Sequence, residues 1–143
     1  MNNTADEIIK FLENNELVFY KRDMENSEVI ILLPYRFSSI NLEQSFTIYA
    51  DNISDTYKMG FSCKLNPAKD SSKELLNMNS ELNNGSLSVP PESDEVTYMA
   101  TFAFKAPYTK NEYEKNLYTC LAVLLKLKDK DIVITKESEN NEK

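Results

Sequence analysis

Val96-Thr97-Tyr98-Met99-Ala100-Thr101-Phe102-Ala103-Phe104 is the stretch that decides the fold. Val96, Tyr98, Ala100, Phe102 and Phe104 fall on one side of an extended chain, with their neighbours on the other. Alternation over this length predicts a half-buried strand. Upstream, residues 86–89 fit a short strand stopped by Pro90-Pro91, and the acidic residues 92–95 fit a loop. Downstream, Pro107 ends the long strand. Thr109 and Glu112 then form a capping box, each side chain placed to satisfy a free amide at a helix start. The helix runs to about Lys128. Tyr113, Leu117, Cys120, Leu121 and Leu124 line one face. Tyr118, Ala122, Leu125 and Leu127 widen the apolar arc beyond what one sheet face needs.

Further upstream, Leu75, Met78 and Leu82 recur at helical spacing, with Asp70 or Ser71 as cap. Asn83-Asn84-Gly85 ends that helix, Gly85 being free to take the left-handed conformation. Before it, Tyr57, Met59, Phe61, Cys63 and Leu65 alternate with polar neighbours, as do Phe46, Ile48 and Ala50. Both patterns predict strands joined by a polar turn. Residues 29–37 form another strand. Val29, Ile31 and Leu33 are apolar on one parity and Ile30 and Leu32 on the other, which predicts a central strand covered on both faces. Pro34 requires a bulge or an edge there. A short strand fits residues 17–21. At the start, Thr4 and Glu7 suggest a capping box for a helix over about residues 5–14. Residues 132–134 form a short apolar run, and residues 136–143 a polar tail.

The expected order is helix, four strands, helix, two strands, helix (α-β-β-β-β-α-β-β-α). This is an α+β sandwich on a mainly antiparallel sheet, one domain over residues 1–135.

The 143 residues carry 16 Lys and Arg against 23 Asp and Glu, a net charge of −7. The charge disfavours nucleic acid and anionic membranes and leans toward basic protein partners. No apolar run is long enough to span a bilayer and the N-terminus lacks a signal-peptide layout, so a cytoplasmic location is expected. The two cysteines, Cys63 and Cys120, fall on apolar faces and read as buried reduced thiols. Without a CxxC pair, a zinc site has no support.

There is no histidine. This removes the usual neutral-pH base, the commonest metal ligand and every Ser-His or Cys-His arrangement. With two glycines, Gly60 and Gly85, no phosphate-cradling loop can be built. Asp51, Ser54 and Asp55 do not have calcium-loop spacing. No cofactor, metal or catalytic residue is assigned. What stands above background is apolar excess, on the strand with Val29 and Ile31 and on the last helix with Tyr118 and Leu125. These residues, with Tyr98, are the expected partner-binding set.

Leu75-Leu76-Asn77-Met78-Asn79-Ser80-Glu81-Leu82-Asn83-Asn84-Gly85 leads into a short strand, a loop, a long alternating strand and a capped amphipathic helix. This order is similar to the YbjN family, whose fold resembles the type III secretion chaperones. The acidic loop over residues 90–95 and the extra alternating segment near Phe46 depart from the pattern. The resemblance implies a non-catalytic sandwich, often a homodimer, that binds an extended or helical partner segment. It carries over no catalytic residue. The function expected is therefore a protein-binding, chaperone-like or regulatory module. The alternatives are an acidic immunity-type inhibitor of a basic surface, or a small-ligand binder or enzyme using carboxylates.

Overall fold

The expected alternation is realised in register. In the computed structural model, which describes residues 3–136, helix α1 (Thr4–Asn14) precedes β1 (Tyr20–Asp23), β2 (Val29–Phe37), β3 (Leu42–Ala50) and β4 (Thr56–Leu65). Then follow α2 (Ser72–Glu81), β5 (Ser86–Ser88), β6 (Glu95–Ala103), α3 (Lys110–Asp129) and β7 (Val133–Ile134). All strand pairs are antiparallel, in the order β1-β2-β3-β4-β6-β5, with β7 beside β4. The α+β class and element order follow the sequence. The seventh strand is an addition, made from the short apolar run after α3: Ile132 is fully buried and Val133 pairs with Leu65.

One parity of each central strand faces a single core. Ile31, Leu33, Phe46, Ile48, Met59, Phe61, Tyr98 and Ala100 pack there with Ile8 and Leu12 of α1, Met78 of α2 and Cys120, Leu124 and Leu127 of α3. The other parity faces away from the helices. Tyr20, Leu32, Thr47, Gly60 and Met99 form one cross-strand row on that face. The expectation that β2 is covered on both faces is therefore corrected: Ile31 is fully buried, while Leu32 is 38% exposed. β2 carries apolar residues on both parities because one serves the core and the other an open face. β1 reaches only as far as Leu32, so Pro34 sits where β2 has a strand on its β3 side alone. That is the edge a missing amide tolerates.

The first helix start differs from the expected cap. Thr4 does not form a capping box; its hydroxyl donates to the Ser54 carbonyl at 2.6 Å. The first-turn amides are instead satisfied by the β3–β4 loop. Asn3 N–H donates to the Asn52 carbonyl, Ala5 N–H to the Asp51 carbonyl and Asp6 N–H to Asn52 Oδ1. At α2, Asp70 Oδ1 accepts from the Ser72 amide, whereas the Ser71 hydroxyl is buried without a hydrogen bond. α3 starts with the Thr109 half of the expected capping box, its hydroxyl accepting from the Glu112 amide, while the Glu112 carboxylate accepts from the Asn116 side chain. The polar tail lies outside the described residues except for Lys136, which bridges to Glu43. No helix among the described residues is long and apolar enough to cross a membrane.

Candidate functional site

A difference in strand length creates the main groove. β6 pairs with β4 along its whole run, from Glu95 opposite Lys64 to Ala103 opposite Thr56. β5 is only three residues long and reaches no further than Ser86 opposite Met99. Among the described residues, 100–103 therefore have a strand on one side only. The chain turns away at Gly85, whose φ of +84° suits the absence of a side chain; a Cβ there would come within 2.8 Å of the Tyr98 ring.

Asn84 stands at the opening of this edge. Its side-chain amide donates to the Thr101 carbonyl at 3.0 Å, and its own carbonyl accepts from the Tyr98 hydroxyl at 2.7 Å. The Thr101 carbonyl thus faces away from β4. The N–H of the same residue shares that direction, and so do the backbone groups of Ala103, two positions on. One flank of α3 forms the opposite wall, through Lys115, Thr119, Ala122 and Lys126. Their spacing of three and four residues puts them on one stripe. The resulting groove encloses about 620 Å³, floored by Phe102, Val123 and Leu82. Lys115 and Lys126 make no ion pair among the described residues.

Asn79 closes the neighbouring edge. Its side chain accepts from the Leu87 amide at 2.7 Å and donates to the Leu87 carbonyl at 2.9 Å, as a further strand would. The edge of β5 is thereby occupied, whereas along residues 100–103 Asn84 holds only the Thr101 carbonyl and leaves the outward Thr101 N–H and the Ala103 groups open among the described residues. Asn79 and Gly85, two residues that carried the family resemblance, both shape this groove.

Beneath α3, Asn116 is fully buried and its Oδ1 accepts from two phenols, Tyr57 at 2.5 Å and Tyr108 at 2.8 Å. Burial raises the pKa of both tyrosines, so they remain neutral donors. Burial likewise pushes the Cys120 thiol up to about 12. It does the same for Cys63, pushed up to about 12 with a smaller contribution from Glu95. Neither carries the thiolate a nucleophile needs at neutral pH.

The expected partner-binding residues separate into two groups. Tyr118 is 57% exposed and Leu125 half-buried, both on the outer flank of α3. Val29, Ile31 and Tyr98 are core residues, because their parity faces the helices. Tyr98 still borders the groove from below. The free edge was missed by sequence reasoning, although the signal was present: nine alternating residues were set against a four-residue partner.

No protein-family model matches the chain, and no curated protein matches it. Among solved structures it is similar to YbjN from E. coli, described as a candidate transcription regulator. The TM-score is 0.62 at 11% identity, over 91% of this chain and 95% of that one. The fold of this chain is YbjN-like.

Proposed function

We propose that this chain is a non-catalytic protein-binding module that takes an extended partner segment as an added strand along residues 100–103 of β6. The observation that carries the reading is the free strand edge inside a groove of about 620 Å³ walled by α3. Main-chain hydrogen bonds would hold the segment, and alternate side chains would enter the space beside Ala122 and Val123. The groove volume lies in the range of formed binding sites. The lack of any histidine, and the likeness to a candidate regulator, support binding over turnover.

The test uses extended peptides selected from a random library against the intact protein. Thr101→Pro removes the outward N–H without touching the β4 ladder. We expect this variant to weaken the selected peptides by about tenfold or more, since neutral main-chain bonds contribute about 1 kcal/mol each and the ring also blocks close approach. Peptides that bind Thr101→Pro as tightly as the parent protein would overturn the reading.

A further inference from the structure

The second flank of α3 meets α1 in a smaller groove of about 340 Å³, with Phe11, Tyr35, Tyr113 and Tyr118 among its nine lining residues. Phe11 and Tyr113 lie with ring centroids 5.3 Å apart, and the Tyr35 and Tyr113 hydroxyls touch. Tyr118 stands exposed at the rim. Burial, and secondarily the neighbouring Tyr118, raise the pKa of Tyr35, so its ring remains a neutral phenol. Glu114 is the carboxylate that lines the same groove. It makes no ion pair among the described residues. The one cation in the lining is Lys110, a turn before Glu114 on the same flank and likewise unpaired.

From this combination we infer that the α1–α3 groove receives an arginine side chain of a partner protein, its guanidinium stacked against Phe11 and Tyr118 over the buried Tyr113 and facing Glu114. Aromatic faces attract cations through their negative quadrupole. A planar guanidinium also stacks and can bond a carboxylate with two parallel donors. Glu114 supplies the complementary charge, and the net −7 of the chain favours approach of a basic segment. This site lies across α3 from the β6 edge and does not depend on strand addition.

The experiment is an NMR titration of the labelled intact protein with Nα-acetyl-arginine amide and with its neutral isostere, Nα-acetyl-citrulline amide. Saturable shifts at Phe11, Tyr113, Leu117 and Tyr118 are expected with the arginine probe, and binding weaker by about fivefold with citrulline. Tyr118→Ala and Glu114→Gln should each weaken the arginine probe by about two- to tenfold. Lys110→Gln should tighten it, by removing a competitor for Glu114. Thr101→Pro should leave it unchanged, which separates this site from the β6 groove. Equal binding of the two probes, or shifts that map elsewhere, would overturn the inference.

Discussion

Asn116 is one buried side chain on which two phenols depend, and it ties α3 to β4 and to the loop before the helix. In Asn116→Leu both hydroxyls would lose their acceptor while staying buried. The expected loss is about 2–4 kcal/mol in urea unfolding, since each orphaned group costs about 1–3 kcal/mol. Gly60 is a second such point. A Cβ there would fall 1.8 Å from the Tyr98 carbonyl, so Gly60→Ala forces β4 and β6 apart. We expect a cost of about 2 kcal/mol or more, and weakened amide protection on both strands. Asp51 gives the pH dependence. Bonds from the Ser54 and Ile53 amides lower its pKa and outweigh the opposing effect of burial. A lowered carboxylate contributes stability above its unfolded pKa and loses it as pH falls through the folded value. Acid should therefore loosen the loop that caps α1, and Asp51→Asn should flatten the acid limb of a stability–pH curve. None of these three residues announced its role in the sequence. The partners of Asn116 include one 59 positions away, and the Gly60 clash is with a strand brought in by the fold.

The strands were legible because alternation is local. Both long patterns, around Met59 and around Ala100, became strands paired across their full length. What alternation could not supply was the assignment of the second apolar parity. Ile30 and Leu32 look like residues needing cover, yet they belong to an uncovered sheet face. The caps were legible where donor and acceptor are close, as at Thr109, and illegible where a loop some fifty positions away does the work, as at Thr4. β7 was read as an afterthought because two strand residues carry no periodicity. Its pairing with β4 is decided by the return of α3. Asn79 shows the same limit, since its amide replaces a strand at the β5 edge. Asn79→Leu should expose that edge. Hydrogen exchange at the Leu87 amide should then accelerate by about tenfold, the equivalent of losing roughly 1.4 kcal/mol of protection. Unchanged exchange at Leu87 would contradict the proposed edge role of Asn79.

Across the whole molecule, α3 divides two grooves of different chemistry. One flank carries Lys115, Thr119, Ala122 and Lys126 against a free strand edge. The other carries Tyr113, Glu114 and Tyr118 against α1. The wide apolar arc of the last helix, which looked excessive for one sheet face, is accounted for by this double duty. Tyr118 and Leu125 belong to the outer flank, and Tyr98 to the core beside the first groove. The binding-module reading thus rests on strand lengths and on which backbone groups are left over, more than on any signature residue. It is tested most directly by hydrogen exchange at single-residue resolution on the peptide-bound protein. Strand addition predicts that the Thr101 amide, and with it Ala103, becomes protected by about tenfold or more while Ala100 and Phe102, already turned toward β4, change little. Protection confined to other surfaces, with Thr101 and Ala103 exchanging as in the free protein, would contradict it.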